Sequence, residues 1–195
     1  MTLSDAVFPT RSWLSRSLMV LGGSLFIALA AQVSVPMVPT PMTLQTLAIL
    51  IVGFTYGARM GALTLLAYLA EGAAGLPVFA NGLNFVAFAG PTAGFLVGFV
   101  GLAWLAGFAA DRGVRGIFGL SLAGIAASAL LYLPGVAWPM GLAGTLGIEA
   151  GWVGLPADKI WAGFVAPFLI GDAVKAVIAA LVVSGGWAAV KNRKA

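Results

Sequence analysis

The sequence predicts an all-α, polytopic integral membrane protein. Three observations support this class: the composition, the division of the chain into apolar runs, and the placement of its cations. Of the 195 residues, 61% are hydrophobic and only 8% are charged, and the mean hydropathy is +1.06. A soluble domain carries roughly 25% charged residues. Because spans take about 20 residues each, we expect residues 1–195 to form a single transmembrane domain.

Apolar runs separated by proline- and glycine-rich stretches divide the chain into six predicted helices. Three prolines in VSVPMVPTPM end the first helix and stiffen the loop that follows it. The second run is short for a membrane span, so we expect it not to lie as a plain upright helix. The six helices are predicted at approximately 13–32, 43–56, 58–72, 92–110, 117–133 and 160–190.

The cations indicate how the chain is oriented in the membrane. Six crossings place eight of the ten Lys and Arg residues on one side, which the positive-inside rule makes cytoplasmic. We therefore expect both termini in the cytoplasm. The other two cations are Lys159, in a loop on the opposite side, and Lys175, inside the last helix. The eight residues are Arg11, Arg16, Arg59, Arg112, Arg115, Lys191, Arg193 and Lys194.

The composition also excludes several classes of function. The chain has no cysteine and no histidine, which removes thiol nucleophiles, thiolate metal sites and imidazole acid–base chemistry. With only six carboxylates in the whole chain, a paired-carboxylate enzyme is hard to build. We expect no enzymatic activity, no metal site and no prosthetic cofactor. The basic pI reflects membrane topology rather than binding of nucleic acid.

A charged pair lies inside the last predicted span. The run FLIGDAVKAVIAALVV (residues 168–183) carries Asp172 and Lys175, which share one helix face at a spacing of three residues. Pro167 is expected to bend the helix just before them. One interpretation is a self-neutralising intrahelical salt bridge. The other is a binding site, since charges within a membrane are costly and are functional candidates by default.

The loops on the predicted outer side are long or proline-bearing, and they are apolar where an ordinary external loop would be polar. They are loop 1 (residues 33–42), loop 3 (residues 75–91) and loop 5 (residues 134–159). We interpret them as a lid over a cavity, with an aromatic belt at the membrane interface as the alternative. Their large aromatic residues include Phe79, Phe85, Phe88, Trp138 and Trp152.

Four stretches of the chain together resemble the BioY family, the biotin-specific S components of energy-coupling-factor (ECF) vitamin transporters. They are VPTPMTLQTLAIL (residues 38–50), YGARMGALTLLAYLAEGAAGLPVFANG (56–82), GPTAGFLVGF (90–99) and GDAVKAVIA (171–179). The resemblance implies the six-helix S-component fold in a bacterial cytoplasmic membrane. It also implies high-affinity biotin capture under loops 1, 3 and 5.

The resemblance further implies a transmembrane T component and two ABC-type ATPases as partners, besides membrane lipid. Some family members are thought to work without an energising module, so a self-associating biotin carrier is one alternative. Uptake of another small vitamin by the same scaffold is a second alternative. Biotin is expected as transported ligand in each biotin-specific case, not as a prosthetic group.

The family's D-x-x-K pair contacts biotin and matches Asp172 and Lys175. Their chemistry agrees, because a carboxylate accepts from a ureido N–H and an ammonium donates to a carbonyl or to the valerate carboxylate. Helix capping is the alternative for the polar residues beside the second helix, and core packing is the alternative for the aromatic ones. These further ligand candidates are Thr43, Gln45, Phe79, Asn81, Asn84 and Phe95, the last standing where the family often has tyrosine.

Small residues spaced by four suggest close helix packing. Ser24 and Ala28 form such a pair on the first predicted helix, and Gly94 and Gly98 form another on the fourth. In S components a small-residue patch on the first helix docks the T component, so Ser24 and Ala28 are candidates for that surface. Ordinary packing within the bundle is the alternative.

Overall fold

The computed structural model of the chain describes residues 2–7 and 12–192 and is mostly helical. Arg11, Arg193 and Lys194 of the predicted cytoplasmic cluster lie outside these residues. In chain order the helices are α1 (Leu3–Val7), α2 (Trp13–Gln32), α3 (Gln45–Tyr56), α4 (Ala58–Ala73), α5 (Ala93–Asp111), α6 (Ile117–Ala137), α7 (Ala143–Thr145), α8 (Ala157–Ile160) and α9 (Ala166–Asn192). Short 3-10 turns cover Ala80–Gly82 and Phe85–Ala89, and π-helical turns cover Trp138–Leu142 and Trp161–Val165.

Four helical segments of the described chain are long and apolar enough to cross a membrane. They are Trp13–Gln32, Ala93–Asp111, Ile117–Thr145 and Ala157–Asn192. The helix Gln45–Tyr56 is apolar but shorter. These segments support a helical, polytopic membrane protein, whereas the count of six crossings stays a prediction.

A small hairpin in loop 1 departs from the expected all-α class. Strand β1 (Ser34–Val35) pairs antiparallel with strand β2 (Met42–Thr43), with Ser34 opposite Thr43. The backbone N–H of Leu44 donates to the Val33 carbonyl at 3.1 Å and extends this pairing. The hairpin returns the chain from the end of α2 to the start of α3. Loop 1 is therefore an ordered, hydrogen-bonded hairpin and not only a stiff connector.

Helix α3 is the most enclosed part of the bundle. Its side chains Ile49, Leu50 and Phe54 are fully buried, and it packs against α4, α5 and α9. The large apolar residues on the outer faces of α2, α6 and α9 are exposed in the isolated chain, as expected for surfaces that meet lipid.

Glycines allow a close crossing of α5 and α6. A Cβ at Gly94 would lie 2.2 Å from the carbonyl oxygen of Pro134, and one at Gly98 would lie 2.7 Å from Leu131. The Gly94–Gly98 pair therefore packs α5 on α6, as small residues at this spacing allow. This crossing fixes the two helices whose next turns line the cavity described below.

A one-residue turn joins α3 to α4 at the end of the bundle away from loop 1. Gly57 adopts φ +83 there, a conformation that favours glycine. It supplies no side chain to cap α4, and the carboxylate of Asp111 at the end of α5 accepts from the Ala58 N–H at 3.0 Å instead. A Cβ at Gly57 would also contact Thr2 of the N-terminal segment, so α1, the α3–α4 turn and the end of α5 meet at this end.

Prolines and π-helical turns interrupt both α6 and the last helical segment, which line the cavity described below. Pro134 lies inside α6, and a π-helical turn begins at Trp138. In the last helical segment, the π-helical turn Trp161–Val165 ends two residues before Pro167. The amide of Ala166 donates to the Trp161 carbonyl across this wider turn. Such turns are frequent at functional sites, and here they offset the helix just before Asp172.

Candidate ligand cavity

A largely apolar cavity lies between α3, α5, α6 and α9, below loops 1 and 3. Its empty space is about 680 Å³, including the mouth. Small-molecule pockets are likewise mostly apolar with a few placed polar groups. The lining residues are Thr40, Pro41, Met42, Thr43, Gln45, Thr46, Phe79, Ala80, Leu83, Ala87, Thr92, Phe95, Leu96, Phe99, Leu131, Tyr132, Phe168, Asp172 and Lys175.

The predicted charged pair lies in the wall of this cavity. Lys175 Nζ donates to Asp172 Oδ1 at 3.2 Å, and each residue is only 7% exposed. The i, i+3 spacing on α9 therefore brings the two side chains together on the inner face of the helix, as expected. Both are also lining residues, so they face empty space and do not only face each other.

Two further donors reach Asp172 from other helices, and the sequence analysis missed both. Thr46 Oγ1 on α3 donates to Asp172 Oδ1 at 3.2 Å. Tyr132 Oη on α6 donates to Asp172 Oδ2 at 2.7 Å. These residues lie 126 and 40 positions from Asp172 in the sequence. No local motif joins them to it, although an intramembrane carboxylate should have prompted a search for hydroxyl partners.

Gln45 lies in the lining and belongs to a chain of buried hydrogen bonds. Its Nε2 donates to Tyr68 Oη at 2.7 Å, and Tyr68 in turn donates to the Val78 carbonyl at 2.9 Å. Thr43 Oγ1 donates to Gln45 Oε1 at 3.0 Å and accepts from the Gln45 backbone N–H at 3.2 Å. Thr43 thus contacts the cavity and also serves the start of α3, where Leu44 gives no side-chain cap.

Phe79 and Phe95 form parts of the apolar wall while also packing against neighbours. Phe79 is 1% exposed and meets Tyr68 edge to face, with ring centroids 5.2 Å apart. Phe95 meets Tyr132 edge to face at 5.9 Å. A Cβ at Gly135 would lie 2.4 Å from the Phe95 ring, so this glycine makes room for it. The lining and packing interpretations therefore hold together for both rings.

Asn81 and Asn84 are not among the lining residues. Asn81 is exposed with φ 58, and its Oδ1 accepts from Ser34 Oγ at 3.4 Å. Asn84 Oδ1 accepts from the Val86 amide at the start of a 3-10 turn. In this structure both residues shape loop 3, and their contact with a ligand stays a prediction.

The structure places loops 1 and 3 over the cavity, and loop 5 beside it. None of residues 134–159, all of which are described, belongs to the lining. Trp138 in loop 5 instead donates from Nε1 to the Gly90 carbonyl at 2.9 Å. Loop 1 packs directly on the last helical segment, because Met42 Sδ lies against Gly171 and Pro39 lies against Gly163. Loops 1 and 3 therefore cover the cavity in this structure, and the role of the three loops as a lid over a ligand stays a prediction.

The two residues expected to dock a partner do not form one exposed surface. Ser24 is fully buried, and its hydroxyl donates to the Glu71 carboxylate on α4. This position favours packing within the bundle for Ser24, since its side chain faces a neighbouring helix. Ala28 is half-buried and packs against the core, and a docking role for it stays a prediction.

The fold and the cavity define a helical, polytopic membrane protein with a chamber whose largely apolar wall carries the Asp172–Lys175 ion pair. The family model for the BioY family matches residues 4–192. The chain belongs to the BioY family, as the resemblance in its sequence indicated.

Similar proteins include the biotin transporter BioY of Rhizobium etli, which is 37% identical over 80% of this chain and 82% of the relative. The probable biotin transporter BioY of Pyrococcus horikoshii is 34% identical over 82% of this chain and 90% of the relative. A crystal structure of the S-component for biotin from an ECF-type ABC transporter superposes with a TM-score of 0.69. At 21% identity, over 95% of this chain and 96% of the other, it shows that the fold is shared.

Proposed function

We propose that this chain captures biotin at the outer face of the cytoplasmic membrane and takes part in its uptake as the S component of an ECF transporter. It is a multi-pass membrane protein and a transporter component, not an enzyme. The observation that carries the proposal is the buried Asp172–Lys175 pair facing a largely apolar cavity. Family membership and the names of the relatives support biotin as the ligand.

The chemistry of biotin is complementary to this cavity. Its ureido ring presents two N–H donors and one carbonyl acceptor, which suit a carboxylate and an ammonium group. Its thioether ring and aliphatic chain suit the walls formed by Phe79 and Phe95. Gln45 and Thr43 add amide and hydroxyl groups in the same lining. Biotin would be bound as cargo, so no covalent attachment to the chain is involved.

The topology and the partners are part of the same proposal. We infer six crossings with both termini in the cytoplasm, a T component in the membrane and two ABC-type ATPases below it. The described cations Arg16, Arg59, Arg112 and Arg115 support this orientation, since they flank the helix ends away from the cavity mouth. The alternative is a carrier that self-associates and works without ATPases. The cavity is the same in both cases, so it does not distinguish this carrier from an ECF assembly.

Titration calorimetry with purified protein tests the ligand and the site together. We expect Asp172→Asn and Lys175→Met each to lose roughly 1.5–3 kcal/mol of binding free energy, or about 10- to 150-fold in affinity, because each removes a charged hydrogen-bond partner. The exposed neighbours Asp158 and Lys159 offer matched controls. Asp158→Asn and Lys159→Met should bind biotin as the wild type does.

Two results would contradict the proposal. If the wild-type protein does not bind biotin, biotin is not its ligand. The same titration is then repeated with other small vitamins. Folded Asp172 and Lys175 variants that bind biotin normally make the pair structural. Uptake of labelled biotin by a host lacking any energising module then separates the carrier alternative from the ECF assembly.

A further inference from the structure

The hydrogen bonds around Asp172 exceed what charge neutralisation requires. Lys175 alone would neutralise the carboxylate through Oδ1 at 3.2 Å. Thr46 nevertheless donates to the same oxygen from α3, and Tyr132 donates to Oδ2 from α6. Three helices thus supply donors to one buried side chain. If Asp172 and Lys175 formed only a salt bridge within α9, the hydroxyls of Thr46 and Tyr132 would not be needed at the carboxylate.

The two hydroxyls fix the orientation of the carboxylate. The terminal torsion of an aspartate side chain is broad, so an ion pair through a single oxygen leaves the other oxygen free to turn. Tyr132 holds that second oxygen at 2.7 Å, a distance typical of a hydrogen bond between a hydroxyl and an ionised acceptor. The Tyr132 ring is itself held edge to face by Phe95 at 5.9 Å.

We propose that Tyr132 and Thr46 are positioning residues that hold Asp172 as an acceptor with one open site. They thereby select a head group that presents one N–H donor beside an acceptor for Lys175. The proposal rests on the proposed function, because biotin is its test ligand. It also explains how the cavity would select its ligand. The open acceptor site on Asp172 depends on Tyr132 and Thr46, which act through Asp172 and need not contact the ligand themselves.

The count of hydrogen-bonding sites gives this selectivity its physical basis. A carboxylate offers about four acceptor sites, and the protein occupies three of them here. The open site lies on Oδ2, which accepts only from Tyr132 among the described residues. Lys175 has three donors and gives one of them to Asp172, so two remain. A cyclic urea matches this arrangement, with an N–H next to its carbonyl.

A double-mutant cycle separates positioning from direct contact. We expect Tyr132→Phe to weaken biotin binding roughly 5- to 20-fold, because it removes one bond to the carboxylate and keeps the ring against Phe95. In an Asp172→Asn background the same change should cost less than about 2-fold, since residues that act through each other are not additive. Thr46→Val should follow the same pattern with a smaller loss.

Tyr56→Phe is the matched control, since it removes a tyrosine hydroxyl outside the cavity lining. It should bind biotin as the wild type does, and Tyr132→Phe, Thr46→Val and Tyr56→Phe should each keep the wild-type melting temperature within a few degrees. Losses that multiply in the double variant would overturn the proposal, because Tyr132 would then act independently of Asp172. Tyr132→Phe binding with wild-type affinity would overturn it as well.

A measurement without ligand keeps the proposal separate from the function. Infrared spectra of protein with isotope-labelled aspartate report the carboxylate stretching bands, and the chain has only four aspartates. Tyr132→Phe should shift the band that Asp172→Asn removes, and Tyr56→Phe should not. An unshifted band overturns the positioning role even if biotin binds. A shifted band in a protein that does not bind biotin supports the positioning role of Tyr132 and contradicts biotin as the ligand.

Discussion

At the scale of single residues, we expect Lys175 to decide which head groups the cavity can accept. After its bond to Asp172 at 3.2 Å, its ammonium group still has two donors and no acceptor. The residue is 7% exposed, so little water is at hand to take those donors. A ligand that offers an acceptor there gains a charge-assisted hydrogen bond, and one that offers another donor meets repulsion.

The analogue 2-iminobiotin turns this argument into a prediction, because its guanidinium replaces the carbonyl acceptor with donors. Wild-type protein at neutral pH should bind it at least about 100-fold more weakly than biotin, since one acceptor is lost and a like charge is added. Lys175→Met should bind biotin less tightly and reduce that discrimination by about 10-fold or more. Competition against labelled biotin measures both ratios.

Desthiobiotin is the control ligand, because it keeps the ureido ring and changes only the thioether part. Its affinity relative to biotin should be the same in Lys175→Met as in the wild type. Unchanged discrimination against 2-iminobiotin in Lys175→Met would place Lys175 at the valerate carboxylate instead of the ureido carbonyl. The other contacts of the head group would then need a different donor.

At the scale of elements, loop 3 is tied to the bundle by side chains from two helices. Gln32 at the end of α2 donates from Nε2 to the Phe79 carbonyl at 3.0 Å and accepts the Gly82 N–H at 3.1 Å. Tyr68 on α4 holds the Val78 carbonyl. Phe79 is part of the cavity wall, whereas Gln32 and Tyr68 are not among the lining residues. These two side chains therefore position the wall without contacting the cavity.

Gln32→Ala should therefore loosen the lid and leave the cavity chemistry intact. Two lost hydrogen bonds, each of about 0.5–1.5 kcal/mol, should speed hydrogen exchange at residues 79–83 and raise the biotin dissociation rate about 3- to 30-fold. Ser34→Ala is the control, because Ser34 reaches loop 3 through a single long contact of 3.4 Å to Asn81. Exchange in residues 79–83 that is equal in Gln32→Ala and wild type would show that Gln32 does not hold the loop.

The elements also show how far sequence reasoning reaches. The apolar run beginning at Trp13 and the DRGVRG turn (residues 111–116) predict helix ends within a residue of those in the structure, because composition and turn residues act locally. The β1–β2 hairpin was missed, because prolines mask its pairing and its strands have two residues each. The bonds of Asp172 to Thr46 and Tyr132 were missed because helix packing creates them. The spacing of Asp172 and Lys175 was readable because it is a property of one helix.

At the scale of the whole molecule, the chain has two chemically different ends. The cavity, loop 1 and loop 3 lie at one end. At the other, Leu3 packs against Gly186 of α9. Cations there rest on aromatic rings, with the Arg112 guanidinium 3.6 Å from the Phe108 ring centroid and that of Arg115 4.0 Å from the Trp187 centroid. Lys and Arg are enriched in the cytoplasmic loops of membrane proteins, and Arg16 and Arg59 lie at this same end. This asymmetry is the physical basis for the inferred orientation.

Cysteine labelling can test that orientation directly, because the natural chain has no cysteine. Gly116 and Gly151 are exposed, lie at opposite ends of the bundle, and leave open space for a side chain. In intact cells, a membrane-impermeant maleimide should label Gly151→Cys, whereas Gly116→Cys should react only after permeabilisation.

Ser12→Cys and Lys191→Cys, near the two termini, should both behave like Gly116→Cys, because an even number of crossings returns the chain to its starting side. If the two terminal variants label from opposite sides, the number of crossings is odd and six is wrong. If all four patterns are reversed, the count stands and the cavity opens to the cytoplasm, which contradicts capture of biotin from outside.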